Sequence, residues 1–512
     1  MLKTIAPQMT DRLLTPAVVE LTQTLCDQFG RQREVVLEHA GQRIAGLREG
    51  NVALLAETAN VRSSEWTVDP VPAELLERRV ELIGGCTRRE IIEGMNAGAK
   101  SYVADLRNMT LGNPAAILQA HKNIERAADN RLAYVGDDGD RVRINPHSTS
   151  RLMIVPRPMS IMDPGGRGMP GPVPAAFLDL ALHAVYTAEK LRLRQGGMYL
   201  YLREVSGHIE ARLWNDLFTF LEDRLELPRG TFRATVIMDS LAAVLEADEI
   251  LFELMHHSAG LSLDHQAYAA DHIALFSAPD RPHFPDRDHI GLNAHFLRSI
   301  SLLVISLCHR RQAHAIGAPS YVLPMDPSLP SKPAYLEMIA DKEREAVDGH
   351  DGTLVGNAGI VNAAMTEFNK SMPRSHQMYY QRPSHTTPAD LVQRPEGALS
   401  TAGIITSIRV VLLALAARHA DQAVVVQGGR SHDRSSVWLS TLLLWQWTQA
   451  EKCFITDTGL EVHADLMKYL VRKEGEKLFG KDAAQRDIGK EAVERLTAAI
   501  LSPALPETLL PQ

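Results

Sequence analysis

The sequence predicts an α/β fold in which eight short parallel strands alternate with helices, a (β/α)8 barrel flanked by a helical unit at each end. Three observations carry this expectation. One strand–helix–strand unit is fully written out between residues 80 and 104, the same rhythm recurs through residue 356, and no dinucleotide fingerprint opens any of the helices. Periodicity by itself leaves a doubly wound sheet open; short strands ended by glycine, without that fingerprint, tilt the choice to the barrel.

The elements follow in order. Residues 1–75 are mainly helical: Thr15-Pro16 is a helix start, with a capping side chain before a proline at the first helical position, and Val18 to Leu47 carry apolar residues at helical spacing. Val80–Ile83 is a strand ended by Gly84-Gly85. Thr87-x-x-Glu90 is a capping box opening a helix through Met95, and Ser101–Ala104 is the next strand. Further strands are expected at Leu152–Val155, Met198–Leu202, Arg233–Met238, Ala259–Leu263, Ala313–Gly317 and Thr353–Gly356. Ala175–Leu193 and Leu241–His256 are among the helical stretches between them. Met372–Pro395, rich in Pro, Ser, His and Thr, is a linker. Gly403–Ala417, Ser436–Glu451 and Leu460–Leu478 form a helical C-terminal unit. The expected units are 1–75, 76–375 and 376–512.

Composition narrows the partners. The chain has 512 residues, 45% apolar and 23% charged, which is globular and too long for one ordinary core. Lys plus Arg number 54 against 62 Asp plus Glu, a net charge of −8, which argues against nucleic acid or an anionic membrane as partner. Cys26, Cys86, Cys308 and Cys453 form no CxxC pair, the N-terminal Met1–Pro7 lacks a signal-like apolar run, and the chain ends Leu-Pro-Gln. Apolar runs such as Leu302–Leu307 and Val410–Ala417 are short for a bilayer. The expectation is a cytoplasmic protein acting on small molecules.

Local motifs carry little chemistry. Gly166-Arg167-Gly168-Met169-Pro170-Gly171 matches G-x-G-x-x-G, but Pro164, Pro170, Pro172 and Pro174 crowd it, so it reads as a proline–glycine loop. His256-His257, His309 and His314 lack metal-ligand spacing and read as structural or surface residues. The run Asp341-Lys342-Glu343-Arg344-Glu345 reads as a solvated helix face.

Longer stretches are more specific. Glu210-Ala211-Arg212-Leu213-Trp214-Asn215-Asp216 is followed by Pro228-Arg229-Gly230-Thr231-Phe232-Arg233-Ala234-Thr235-Val236, then Asp248-Glu249-Ile250-Leu251 and His257-Ser258-Ala259-Gly260-Leu261. Cys308-His309-Arg310-Arg311, Ala340–Glu345, Asp348-Gly349-His350-Asp351-Gly352-Thr353, Pro395-Glu396-Gly397 and Leu444-Trp445-Gln446-Trp447 complete the series. In this order and spacing the set resembles the malate synthase family, compact A type, from about Leu13 to beyond Trp447. The resemblance implies an N-terminal helical clasp, a TIM barrel and a C-terminal helical plug. It also implies an enzyme that makes the enolate of acetyl-CoA, adds it to glyoxylate and hydrolyses the thioester to release CoA.

The resemblance places individual roles. The family's base, eleven residues before Leu-Trp-Gln-Trp, falls on Asp433 in Ser431-His432-Asp433, whose bland reading is a helix cap. The enolate-stabilising arginine falls on Arg157 in Ile154-Val155-Pro156-Arg157-Pro158, one place out of register. The glutamate that holds magnesium corresponds to Asp239, and the second ligand position is Ala267, with Asp264 and Asp271 nearby but out of register. Acidic pocket positions become Arg107, Asn108 and His432; Leu354–Ala358 and Arg203-Glu204 are also altered. Magnesium binding should therefore be weakened, with cations free to hold the oxo-acid carboxylate directly. The leading expectation is condensation of acetyl-CoA, or a related acyl-CoA, with glyoxylate or another 2-oxo acid or aldehyde. A malyl-CoA-type lyase or thioesterase is the alternative within catalysis, and a silent CoA-binding paralogue the alternative outside it.

Overall fold

Strands whose residues alternate between two apolar environments can close on themselves, and these do. The computed structural model describes residues 12–110, 112–166, 168–325, 332–420, 422–480 and 483–510. The eight strands are β1 (Arg78–Gly84), β2 (Ser101–Asp105), β3 (Arg151–Val155), β4 (Met198–Leu202), β5 (Phe232–Met238), β6 (Ser258–Leu263), β7 (Ala315–Ile316) and β8 (Gly352–Val355). Each pairs in parallel with its sequence neighbours, and β8 returns to β1, giving a closed barrel. Val80, Leu82, Leu200, Val236 and Leu261 face the helices and join the main core. Ile83, Val103, Val155, Tyr201, Ile237 and Leu354 belong to a separate cluster that fills the barrel.

Two features hold the barrel shut. Gly260 sits at a break of register between β5 and β6 with φ +111°, where a Cβ would lie 2.0 Å from the His314 carbonyl oxygen. Only glycine lets β6 approach β7 this closely. Inside, Arg78 donates from Nε and Nη2 to both oxygens of Glu81 at 3.0 Å, and from Nη1 to Ala259 O at 2.7 Å. Both side chains are buried, so the pair compensates two charges that water cannot reach.

Helix α1 (Pro16–Arg48) begins at Thr15-Pro16 as the sequence predicts, and packs on the Ala175–Tyr186 and His208–Arg224 helices. The Thr87–Glu90 capping box forms. The stretch 175–193 is two helices broken at Thr187, and 241–256 contains Leu241–Leu245 and Ala247–Glu253. The helix after β6 is α2 (His265–Phe276). The glycine–proline loop joins short strands Met162–Asp163 and Val173–Pro174; Leu14 and Val19 fill the space beside Gly166 and Gly168. It therefore packs on the start of the N-terminal helix. Arg167, like Met1–Pro7 and the last two residues, lies outside the described residues.

The charged run at 341–345 departs from expectation. Lys342 is buried and donates from Nζ to Ala318 O at 2.6 Å, to Thr353 Oγ1 at 2.8 Å and to Glu345 Oε2 at 3.1 Å. Glu345 in turn accepts from Ala318 N at 2.8 Å. The run is half solvated face and half bolt between β7, β8 and the helix Lys332–Asp348.

After residue 371, the predicted linker holds one short helix, Pro388–Leu391. Then come α3 (Thr401–Ala417), a hairpin of β9 (Val425–Gln427) and β10 (Arg430–His432), α4 (Arg434–Gln449), α5 (Ala464–Phe479) and α6 (Ala483–Leu501), the last unanticipated. The stretch Thr401–Ala420 is long and apolar enough by itself to cross a membrane, contrary to the expectation from Val410–Ala417 alone; half of it is buried. Helix α3 packs against α4, α5 and α6, which accounts for its apolarity. The hairpin is stitched to the loop after β7: Ser431 N donates to Tyr321 O at 2.8 Å and Leu323 N to Gly429 O at 2.9 Å. Helix α4 then lies against α2, at the C-terminal end of the barrel strands.

Candidate active site

The C-terminal ends of β2, β4 and β5 open on a cavity of about 450 Å³. Its polar wall is Arg107, Asn108, Arg203, Glu204, Asp239 and Asp271. Helix α1 adds Ile44 and Leu47, α2 adds Ala267 and Leu275, and α4 adds Arg434, Ser435 and Trp438. Catalytic groups of such barrels stand at this face, because the loops that follow the strands converge there.

Turn chemistry aims each group. Asp105 ends β2 and accepts from Arg107 N and Asn108 N through Oδ1, at 2.7 and 2.8 Å, folding the next residues over the mouth. Arg107 Nε then reaches Glu204 Oε1 at 2.7 Å, and Asn108 Nδ2 reaches Ser435 Oγ at 2.7 Å, tying the barrel rim to α4. Glu204 follows β4 with φ +56°, left-handed backbone that a non-glycine residue adopts at a cost. That turn sends Glu204 N onto Asp239 Oδ2 at 2.8 Å.

Asp239, the expected metal ligand, is buried, with Oδ1 unpartnered. Burial pushes its carboxyl up to about 8, against the hydrogen bond from Glu204 N. Ala267, at the second ligand position, lies in the first turn of α2 on the cavity wall. Asp264 caps that helix through Oδ1, accepting from Gln266 N and Ala267 N at 3.1 and 3.0 Å. Its Oδ2 receives Arg203 Nη1 at 2.7 Å. Asp271 accepts from Leu241 N at 2.8 Å, and burial raises it to about 6.

Asp433 is both cap and candidate base. One oxygen accepts from Ser436 N at 3.0 Å as the N-cap of α4; the other is buried and has no partner among the described residues. Burial, reinforced by Asp264, raises its carboxyl to about 6 despite Arg203. It stands next to Arg434 and Ser435, which line the cavity. The cap reading and the base reading concern different oxygens and are compatible.

Arg157 and His432 are placed elsewhere. Arg157 is buried, gripping Asp179 through Nε and Nη2 and Asp163 through Nη1 at 2.6 Å. Burial disfavours its charge, yet those two carboxylates hold its pKa well above the usual range. It lines a separate pocket of about 60 Å³, whose wall it shares with Arg107 and Arg434. The structure therefore does not bring Arg157 into the cavity with Asp239. His432 is pinned between Ser436 Oγ, at 2.7 Å from Nδ1, and Gln427 O, at 3.1 Å from Nε2. Burial and Arg287 push it down to about 3, so it is neutral, and it lines a small pocket beside Tyr321.

The cavity also holds cations that residue-by-residue comparison left off the candidate set. Arg434 donates from Nε to Arg107 O at 3.3 Å and from Nη1 to Leu510 O at 3.2 Å, and has no carboxylate partner among the described residues. Burial and Arg107 lower it to about 10, so it remains charged at neutral pH. Arg203, 3% exposed, lies between Asp105 and Asp264; burial opposes its charge, and these two aspartates more than restore it. Arg434 directly follows the base in sequence, and Arg203-Glu204 stands out as an altered strand end. Neither signal says where a side chain points.

Many motifs that carry the sequence resemblance lie away from this mouth. Arg311 pairs with Asp248 and stacks on Trp66, with its guanidinium carbon 4.1 Å from the ring centroid. His309 meets Asp351 at 3.2 Å, and His257 meets Glu222 at 3.1 Å. They interlock barrel, helices and N-terminal segment. The histidines singled out as structural are thus placed in the scaffold, except exposed His256, which meets Asp69.

Comparison with known proteins finds sequence similarity along most of the chain. Residues 157–394 match the family described as malate synthase, TIM barrel domain. The chain is 32% identical over 442 residues to a malate synthase of Myxococcus xanthus (strain DK1622), covering 85% of this chain and 81% of that one. It is 31% identical over 477 residues to a malate synthase of Streptomyces clavuligerus, covering 91% and 87%. It is 27% identical over 499 residues to malate synthase A of Escherichia coli (strain K12), covering 95% and 93%. With a barrel closed by eight parallel strands, an acid on the helix that covers its mouth, and this similarity along most of its length, the chain belongs to the malate synthase family.

Proposed function

We propose that the protein condenses acetyl-CoA with glyoxylate, or a closely related 2-oxo acid, and releases CoA. The observation that carries this is Asp433: one oxygen is held by the α4 cap, the other is free, and its carboxyl is raised to about 6 beside the cavity. A carbon acid as weak as the acetyl methyl needs a base stripped of water and fixed in direction, and Asp433 is both. As its free oxygen takes the methyl proton, negative charge moves to the thioester oxygen. Arg434 and Arg107 supply the cations facing the cavity where that charge develops. The apolar side of the cavity, from Ile44, Leu47, Leu275 and Trp438, suits the acyl-CoA arm, while the arginine side suits an oxo acid. The acidic net balance favours small-molecule substrates over nucleic acid or an anionic membrane as partners.

The test is thiol release from acetyl-CoA against a panel of 2-oxo acids and aldehydes, with the product weighed by mass spectrometry. Release that requires glyoxylate and yields malate is expected. Release without any acceptor would assign a thioesterase, and none with any acceptor would refute the proposal.

A further inference from the structure

A divalent cation of the magnesium kind needs several hard oxygens arranged about one centre. The mouth has Asp105, Asp239, Asp264 and Asp433, each with one oxygen committed to a backbone N–H; the second oxygen of Asp264 takes Arg203, and those of the other three have no partner among the described residues. Ala267 offers no ligand where the family's second carboxylate falls. Among the described residues no group of three or more His, Cys, Asp or Glu is arranged to hold a metal ion. Instead, the Arg203 guanidinium stands among the carboxylates, 2.7 Å from Asp264 and 3.4 Å from Asp105. The residues present do not fit magnesium at this place.

Arg203 is also incompletely bonded. Its Nη1 serves Asp264 and its Nε stands 3.4 Å from Asp105 Oδ2, while neither Nε nor Nη2, both buried, makes a hydrogen bond among the described residues. Those two nitrogens form one edge of the guanidinium, the edge that grips a carboxylate through two parallel N–H···O bonds. Buried donors are rarely left unpaired without a ligand to complete them. Arg203 lines the cavity, with both nitrogens covered by neighbouring groups, so a carboxylate reaching this edge displaces those neighbours. The Arg203 guanidinium offsets part of the negative charge of its partners Asp105 and Asp264, which eases the approach of an anionic substrate.

We propose that Arg203 occupies the place a divalent cation would take, and that its Nε–Nη2 edge receives the carboxylate of the 2-oxo acid. The proposal rests on the reading of this cavity as the oxo-acid site. It makes substrate binding independent of metal, with the aldehyde end left pointing toward Asp433 and the enolate.

The experiment uses the full chain. Glyoxylate binding is measured by calorimetry in EDTA and in excess Mg2+, and Mn2+ uptake by electron paramagnetic resonance. Glyoxylate affinity within twofold in the two media, and no stoichiometric Mn2+ uptake, are expected. Arg203→Lys keeps the charge but loses the two-pronged edge, and should weaken glyoxylate at least tenfold in EDTA. Glyoxylate bound only with Mg2+, or one Mn2+ held per chain and displaced by Mg2+, would overturn the proposal while leaving the oxo-acid reading intact. Unchanged binding by Arg203→Lys would overturn it too. Glyoxylate bound in neither medium would sink the oxo-acid reading and this proposal with it. If Arg203→Lys does not fold, the wild-type metal comparisons decide alone.

Discussion

Replacing Asp433 by Asn separates catalysis from stability, because the two oxygens of this residue do different work. Asn caps helices as well as Asp does, so the bond to Ser436 N survives. What disappears is a carboxylate that burial and Asp264 raise from 3.8 to about 6. A rise of a little over two pH decades corresponds to about 3 kcal/mol against the charged folded form. The sign follows from proton binding. Between 3.8 and 6 the folded chain holds a proton that the unfolded chain has lost, so wild-type stability falls as pH rises through this window. Asp433→Asn should therefore be the more stable protein above pH 6 by up to about 3 kcal/mol, the gap closing as pH falls toward 4. Thiol release should fall by roughly 10²–10⁴, the contribution of a positioned base. Thermal unfolding across pH 4–8, beside steady-state thiol release, reads both. Turnover within threefold of wild type would refute the base; a variant less stable than wild type at pH 7 would refute the burial argument.

Three further outcomes follow from the same coordinates. The acid limb of kcat/KM should have an apparent pKa near 6, because Asp433 must be ionised to accept a proton; a profile flat down to pH 5 would contradict this. Asp179→Ala strips Arg157 of its bidentate partner and His121 of its acceptor at 2.9 Å, and should destabilise by about 3–5 kcal/mol in denaturant or thermal unfolding. If thiol release per folded molecule were unchanged in that variant, Arg157 would be confirmed as scaffold. Gly260→Ala forces a Cβ to 2.0 Å from His314 O at φ +111° and should abolish soluble expression; recovery of a folded variant would show that β6 can separate from β7.

The barrel was legible because each strand is a short apolar run bounded by turn residues, and every expected strand overlaps an observed one. The breaks at Thr187 and Glu246 left no comparable mark; Glu246, for one, meets His208 and Arg43 from distant segments. Lys342 illustrates the limit of charge pattern: five consecutive charged residues read as solvated, yet the acceptors for its ammonium, Ala318 O and Thr353 Oγ1, come from distant strands. At the site, Asp433 was found by its distance from Leu444-Trp445-Gln446-Trp447, and Asp239 by its strand. Arg203 was visible only as an altered pair at a strand end; its place between Asp105 and Asp264 emerges once the barrel closes and brings the ends of β2, β4 and β6 to one mouth. Arg157 had the converse problem: the right residue type at nearly the right position, whose direction was decided by Asp179 and Asp163.

The stitching of the β9–β10 hairpin to the loop after β7 has a consequence for biosynthesis. Asp433 follows that hairpin directly, so a nascent chain that has emerged only as far as residue 420 already contains every barrel strand and carries no base. Such a precursor lacks the part of the cavity wall that Arg434, Ser435 and Trp438 supply. On the function proposed above, turnover needs the hairpin held in place through Ser431 and Leu323. The pairing that looks like a structural seam thus ties the placement of the proposed base, Asp433, to a segment made after the barrel.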